Sequence, residues 1–148
     1  MLPNNEIHSR LDDENLAVFA SLCQFVWIQG EPLPLVYNME HGIYAKEGVT
    51  LSTLRNLEAA GLIFIEQAGY VKRAFGRHTR LFYFGKPTKI QFPQEADNQL
   101  DLGHVLLTNK GKALATAYKV ERNHKFYEYV IEKWFQQGLI TSSILPKW

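Results

Sequence analysis

The chain has 148 residues, a formal net charge of +1 and a single cysteine. Its length fits one ordinary domain, and 46% hydrophobic with 13% aromatic residues supply a core and exclude a disordered chain. One cysteine excludes an internal disulfide, and no apolar run approaches the roughly 20 residues that span a bilayer. We expect a single domain over residues 1–148, with 1–11 as a loose lead-in, in a cytoplasmic protein without a membrane partner.

The first predicted helix begins with an acidic start. Asp12 is a good N-cap, and Asp13 and Glu14 place negative charge where the helix dipole favours it. Apolar residues then recur at helical spacing as far as Trp27, and the helix is expected to end before Gly30. The sequence has no second cluster of carboxylates that could act together with these three acids. A role in starting the helix is therefore the better interpretation than acid–base catalysis.

Two short elements are predicted before the central helix. Leu33–Tyr37 is apolar, but its prolines limit it to a short edge strand. A weak helix is predicted from Asn38 to about Lys46, and Gly48 makes the turn into the next segment.

Residues 49–63 predict a capped helix over 50–60 that passes directly into a strand. Thr50 is the N-cap, leucines at helical spacing line one face, and Gly61 occupies the C′ position. The opposite face carries the side chains that a major-groove helix would present to bases, namely Ser52, Arg55 and Asn56.

A long hairpin with a basic tip is predicted after this helix. Strands are expected over 62–66 and 81–84, with Lys72–Arg80 as a basic loop between them and a further strand at Lys89–Phe92. Residues 69–91 contain bases and no acid, whereas residues 1–66 are rich in acids. Such a hairpin is typical of a wing, and its candidate phosphate contacts are Lys72, Arg73, Arg77, His78 and Arg80. The alternative is a hairpin that is basic only to stay solvated and to protect its edges.

The rest of the chain predicts a loop, a strand and two helices. Residues 93–101 are polar and indicate a surface loop, and His104–Leu107 indicates a strand that could pair with the hairpin. Thr108 caps a helix from 109 to about 118, and Asn123 caps a helix that runs to Gln137. Residues 109–138 are therefore expected to form a C-terminal helical extension.

The last helix has an aromatic half-face formed by Phe126, Tyr127, Trp134 and Phe135. This face either closes the domain's own core, which we favour slightly, or mediates a homodimer through the C-terminal helix. The tail after it carries Ile140, Ile144, Leu145 and Trp148, which could dock on the body of the domain.

Several short motifs carry a resemblance to winged-helix domains. They are Leu54-x-x-Leu57-Glu58-x-x-Gly61-Leu62-Ile63 and, much later, Leu107-Thr108-x-x-Gly111-x-x-Leu114. Three further motifs are Phe25-Val26-Trp27-Ile28, Pro34-Leu35-Val36 and Gly42-Ile43-Tyr44. The order of all five motifs over residues 12–139 resembles the C-terminal part of an uncharacterised bacterial domain-of-unknown-function family. The resemblance implies the fold and brings no site residues. Because members of that family carry an additional N-terminal region, it also implies a stand-alone relative or a fragment.

The predicted fold is α+β, a winged helix-turn-helix with a long basic hairpin wing and an added C-terminal helical pair. The predicted function is a bacterial nucleic-acid-binding or regulatory module with duplex DNA as its partner. The alternative is a protein-interaction or dimerisation domain of a defence or regulatory system that does not bind DNA. The histidines are far apart and lack partners at ligand spacing, so we expect no metal, no cofactor, no small-molecule ligand and no enzymatic activity.

Overall fold

The computed structural model describes residues 13–143, and it confirms the α+β fold class. The helices are α1 (13–22), α2 (Gly42–Ala45), α3 (Leu51–Ala59), α4 (Asn109–Ala115) and α5 (His124–Gln136). The strands are β1 (Val26–Gln29), β2 (Glu31–Pro34), β3 (Ile63–Ile65), β4 (Val71–Phe75), β5 (His78–Tyr83), β6 (Lys86–Gln91), β7 (Asn98–Asp101), β8 (Val105–Leu107) and β9 (Ile140–Ser143). A five-stranded antiparallel sheet has the order β2-β1-β5-β6-β9, while β3 pairs with β8 and β4 with β7. Over residues 13–143, no helix has the length and apolar character needed to cross a membrane.

Helix α1 is shorter than predicted, because the segment assigned to its last turn is a strand. The helix ends at residue 22, a 3₁₀ turn follows at Cys23–Phe25, and β1 then pairs with β2. Trp27 is fully buried and Ile28 is exposed, which is the alternation of a strand with one buried face. An edge strand forms here, but it spans Glu31–Pro34 rather than the predicted Leu33–Tyr37, and its two prolines lie at the sheet edge. The predicted cap at residue 12 and the lead-in before it lie outside the described residues.

Helix α3 forms as predicted, whereas α2 is shorter than predicted: it begins at Gly42 with His41 as its N-cap, not at Asn38, and ends at Ala45. Thr50 accepts a hydrogen bond from Thr53 N–H (3.2 Å), and Thr53 Oγ1 accepts one from Thr50 N–H (2.9 Å), so α3 begins with a reciprocal capping box. Leu54 and Leu57 are fully buried on its inner face. Gly61 follows with a φ of 79°, and the chain turns directly into β3.

A long hairpin does follow α3, but its tip and its pairing differ from the prediction. Its pairs are nested: Ile63 pairs with Leu107, Val71 with Asp101, His78 with Gln91 and Tyr83 with Lys86. The tip is therefore the two-residue turn at Phe84-Gly85, and the pairing predicted between 62–66 and 81–84 is wrong. The basic loop predicted at Lys72–Arg80 is also wrong, since Val71–Phe75 and His78–Tyr83 are strands within one arm of the hairpin.

The long hairpin bends near its middle, so its two halves belong to different sheets. A β-bulge interrupts the β4–β7 pair between Lys72 and Phe75, and Ala74 within it has a φ of 65°. The buried Asn98 side chain donates to the Gly76 and Gln94 carbonyl oxygens, both at 2.9 Å, and so fixes the bend. Beyond the bend, β5 and β6 fold back into the five-stranded sheet. The surface loop predicted for 93–101 accordingly ends in strand β7, because this bend pairs its last residues with β4.

The two winged-helix-like motifs meet at one junction. Thr108 Oγ1 donates to the Gly61 carbonyl oxygen (2.6 Å) and accepts the Gly111 N–H (3.0 Å) as the N-cap of α4. Thr108 N–H donates to the Leu62 carbonyl oxygen (3.1 Å). This junction holds α4 against the start of β3, and α4 ends at Ala115, three residues before the predicted position.

Helix α5 packs on the inner face of the five-stranded sheet. Asn123 caps it as predicted, accepting a hydrogen bond from Phe126 N–H (3.0 Å). Trp134 lies edge-on to Trp27, with ring centroids 5.0 Å apart, and Phe126 is fully buried. Most of the aromatic half-face therefore closes the core, the reading that the sequence favoured; Phe135 alone is exposed. Of the tail residues, Ile140 lies exposed in β9 and the others fall outside the described residues.

Candidate nucleic-acid interface

The outward face of α3 carries three of the predicted site residues. Ser52, Arg55 and Asn56 are all exposed there, opposite the buried leucines. The neighbouring Glu58 does not project from this face, because its Oε2 accepts a hydrogen bond from Ile65 N–H at 2.8 Å. This part of α3 therefore presents one cation and two polar side chains.

Lys72 and Arg73 lie in β4 and make contacts of their own. The Lys72 ammonium group donates to the Gln29 side-chain oxygen and lies 3.4 Å from the Gln29 carbonyl oxygen. Gln29 in turn donates to Thr79 Oγ1 (3.3 Å), on the inner face of β5. Arg73 donates to the Gln99 side-chain oxygen of β7. Both cations are thus directed toward neighbouring strands rather than a protruding wing tip.

Arg77 occupies the bend between β4 and β5. Its guanidinium lies 3.8 Å from a carboxylate oxygen of Glu95, and both side chains are substantially exposed. An exposed pair at this distance is worth less than about 1 kcal/mol. Arg77 therefore remains free to exchange Glu95 for another anion.

His78 and Arg80 are exposed on the outer side of β5, where they alternate with inward side chains. Arg80 lies directly opposite Lys89 of β6, and Lys89 is paired in turn with Ser142 of β9. His78 lies opposite Gln91, one row along. Lys72 is bound to Gln29 on the inner side, so the sheet separates it from Arg80.

We use the name outer sheet face for the outward side chains of the five-stranded sheet. The register places on it, in successive rows, Val26 and Pro34; Pro32, Ile28, Phe82 and Pro87; Arg80, Lys89 and Ser142; and His78, Gln91 and Ile140. Among these described residues none is an acid. Within residues 13–143, neither the Arg80 side chain nor the Lys89 side chain has a hydrogen-bond or ion-pair partner, although both backbones belong to the β5–β6 ladder. Like charges placed directly opposite on a sheet repel, so this pair is destabilising unless an anion joins it.

Lys89 and the phenylalanines of this face are absent from the residues that the sequence predicted. The signal in the sequence is the alternation in His78-Thr79-Arg80-Leu81-Phe82-Tyr83. Its odd-numbered residues, Thr79, Leu81 and Tyr83, face inward. Assigning residues 72–80 to a loop hid that alternation. It also hid the row that Arg80 shares with Lys89.

Phe84 forms the tip of the long hairpin with an unusual backbone. Its φ is 50°, and Gly85 after it has a φ of 79°, as a two-residue type I′ turn requires. The ring is exposed and lies beside a groove of about 390 Å³ whose lining includes Val26, Ile28, Tyr118 and Lys119. The groove therefore extends the outer sheet face past the hairpin tip.

The buried hydroxyl groups elsewhere in the molecule serve its structure. Tyr37 accepts from Trp134 Nε1 (2.9 Å) and donates to the Asp101 carbonyl oxygen (2.8 Å), and burial raises its pKa. Burial likewise raises the pKa of Tyr83 to about 12 and that of the Cys23 thiol to about 11, so both stay protonated at neutral pH. In the part of the chain that the structure describes, no three His, Cys, Asp or Glu side chains cluster closely enough for a metal ion.

The predicted site residues thus lie in three places: α3, the β4 arm with its bend, and the outer sheet face. Comparison of the chain with protein-family models, with curated proteins and with solved structures found no match. Any functional assignment must therefore come from the geometry itself.

Proposed function

We propose that this protein is a nucleic-acid-binding module whose fold is a modified winged helix. The order of α1, the β1–β2 hairpin, α2, α3, β3 and β8 supports the fold assignment. So does the hydrogen bond from His104 N–H to the Val36 carbonyl oxygen (2.9 Å), which joins the chain before α2 to the return arm of the hairpin. In this proposal the wing is the long hairpin, and its outer half is folded back into the five-stranded sheet. The cytoplasmic location expected from the sequence belongs to the same proposal.

The observation that carries the proposal is the Arg80–Lys89 pair. Two cations directly opposite each other, without an acid on the same face, gain most from a ligand with closely spaced negative charges. A nucleic-acid backbone is such a ligand, and each phosphate contact also releases condensed counterions. Arg55 on α3 adds a cation on a separate surface, as the sequence predicted for a helix placed against a groove.

Fluorescence polarisation with labelled duplex and single-stranded oligonucleotides at low salt would test this proposal. We expect binding that weakens steeply with salt. Replacing both Arg80 and Lys89 with Ala should weaken it and reduce the slope of log K against log salt by about 1.4 to 1.8, since each lost phosphate contact contributes about 0.7 to 0.9. Lys133→Ala is the matched control, because Lys133 lies on α5 beside the Tyr129 ring, on the inner side of the sheet.

Two outcomes would count against the proposal in different ways. Failure of every oligonucleotide to bind at micromolar protein would remove the function. Binding that is lost in Arg55→Ala and kept in the Arg80/Lys89 double variant would retain the function but move its main surface to α3.

A second candidate function, homodimerisation, is favoured by a neighbouring surface at the sheet edge that shares Ile140 with the outer sheet face. Phe135 at the end of α5 is 72% exposed and Ile140 in β9 is 62% exposed, and both line one apolar cleft with Ile131 and Leu139. Strand β9 is the last in the sheet order, and it contains neither a charged residue nor a proline. Edge strands of this kind are able to pair with a second strand, and within residues 13–143 no strand pairs with the outer side of β9. An antiparallel β9–β9 contact would obey two-fold symmetry.

Sedimentation equilibrium would test the dimer. We expect the wild-type protein to dimerise at micromolar concentration and Phe135→Asp to be monomeric, because the added charge would be buried in the contact. The melting point of the variant monomer should change little, since Phe135 contributes almost nothing to the core. A wild-type protein that remains monomeric would exclude this second function.

A further inference from the structure

We propose that the outer sheet face binds a single-stranded polynucleotide, with bases stacked on Phe82 and Phe84 and phosphates held by Arg80 and Lys89. This inference rests on the proposed nucleic-acid-binding function and specifies the class of ligand. The contacts on this face support it in four steps.

The aromatic row lies next to the cationic row. Phe82 is 38% exposed, and its register neighbours Ile28 and Pro87 are apolar, so its ring is in a flat, uncharged setting. Arg80 is two residues away on the same strand, which places the rows roughly 7 Å apart. A base stacked on Phe82 would therefore leave its backbone within reach of the Arg80 guanidinium and the Lys89 ammonium group.

Phe84 provides a second, independent observation. A left-handed backbone favours Gly, Asn or Asp, and a bulky aromatic residue is an outlier there. Phe84 is 40% exposed and its ring meets the edge of Tyr83 with centroids 4.8 Å apart, so its partial burial offsets part of this strain. Strain kept at an exposed position is characteristic of functional sites. Here it places a partly exposed aromatic ring at the hairpin tip, where the ring lines the groove.

The groove beside Phe84 gives the ligand a place to insert a base. This open groove of about 390 Å³ is lined mainly by apolar side chains, among them Val26 and Ile28. Lys119 also lines the groove and adds a cation there. A strand crossing this face would thus pass from the cationic row, over Phe82, to Phe84 and the groove.

The exposed rings favour a single strand over a duplex. In a duplex the bases stack on one another, so only the cations of this face could engage its backbone. Unpaired bases offer their flat surfaces to aromatic side chains, and this stacking tolerates any sequence. Because DNA and RNA strands share this chemistry, the probes must distinguish them.

The test measures affinities for labelled oligo(dT) and oligo(U) of about 12 nucleotides and for a duplex of equal length. We expect both single strands to bind more tightly than the duplex. Phe82→Leu keeps the apolar contact and removes the ring face, so it should weaken single-strand binding about tenfold while leaving duplex binding unchanged. Phe82→Trp should retain binding. Phe64→Leu, at an exposed phenylalanine of β3, is the matched control and should have no effect.

Phe84→Asn gives a readout in which stability and binding move apart. Asparagine suits the first position of a type I′ turn, so the melting point should not fall, while single-strand affinity should drop about tenfold. A loss of binding without a loss of stability would support the stacking role directly.

Each contrary outcome has a distinct meaning. If no oligonucleotide binds, both the proposed function and this inference fail. If the duplex binds as tightly as the single strands and the Phe82 and Phe84 variants bind normally, the function stands and stacking is excluded. Loss of binding in Phe82→Trp would also exclude stacking. A change of these variants in sedimentation, with no change in nucleic-acid binding, would assign the face to self-association.

Discussion

At the residue scale, the surroundings of Gly111 explain why the Leu-Thr-x-x-Gly motif contains a glycine. A Cβ atom at this position would lie 2.1 Å from the Leu62 carbonyl oxygen, so the α4 backbone rests directly on the backbone at the start of β3. Thr108, three residues earlier, bridges the same two segments through Gly61. The sequence shows the motif, whereas its partner segment is evident only in the folded chain.

Replacing Gly111 with Ala should therefore destabilise the protein. The clash is with backbone rather than with a flexible side chain, and overpacking of this kind costs about 1 to 3 kcal/mol. Thermal or urea unfolding would measure the change. Gly42→Ala is the control, because a Cβ at Gly42 in α2 meets nothing within 4 Å; it should leave stability equal or slightly higher. Equal stability of Gly111→Ala and the wild type would contradict this view of the junction.

Individual residues were predictable where one local pattern decides their environment. The burial of Leu54 and Leu57 and the exposure of Ser52, Arg55 and Asn56 follow from helical periodicity alone. The neighbour of Arg80 could not be predicted in this way. It depends on the register between β5 and β6, which the two-residue turn at Phe84-Gly85 sets, whereas the sequence predicted Phe84 to be the last residue of a strand over 81–84.

At the scale of elements, helices were more predictable than strands. Helices α3 and α5 lie within one residue of their predicted ends, because each has a cap and a terminal glycine in the local sequence. Strands β1, β4 and β7 were assigned to a helix or to loops. The partners of β4 and β7 are distant in sequence and β7 is polar (Asn98-Gln99-Leu100-Asp101), so local propensity did not identify these two strands. Strand β1 was missed because its apolar residues continue the helical spacing of α1.

At the scale of the whole molecule, the long hairpin connects two parts of the fold. Its base, β3 with β8, packs with α3 and α4, while its outer half joins β1, β2 and β9 in the five-stranded sheet. The predicted wing was thus right in the existence of a long hairpin and wrong in its exposure. A hydrophobicity pattern cannot distinguish a wing that protrudes from one that bends back, because both bury one side of each strand.

This nested hairpin also has a consequence for the order of folding. Residues on either side of the Phe84-Gly85 turn are close in sequence, so β5 and β6 can pair after closing a very short loop. Pairing of Ile63 with Leu107 must instead close nearly the whole intervening chain, which is entropically costlier. We therefore expect β5 and β6 at the tip to pair first and β3 and β8 at the base of the hairpin to pair late.

Two matched substitutions would test that order. Ile90→Val in β6 and Ile63→Val in β3 each remove one buried methylene group and should each cost about 0.5 to 1.5 kcal/mol. Ile90→Val should slow folding and Ile63→Val should mainly speed unfolding, as stopped-flow kinetics would show. The reverse pattern would mean that the helical part folds first. If the expected order holds, β5 and β6 of the outer sheet face pair before Ile63, the last residue of the segment from which the fold was predicted, pairs with β8.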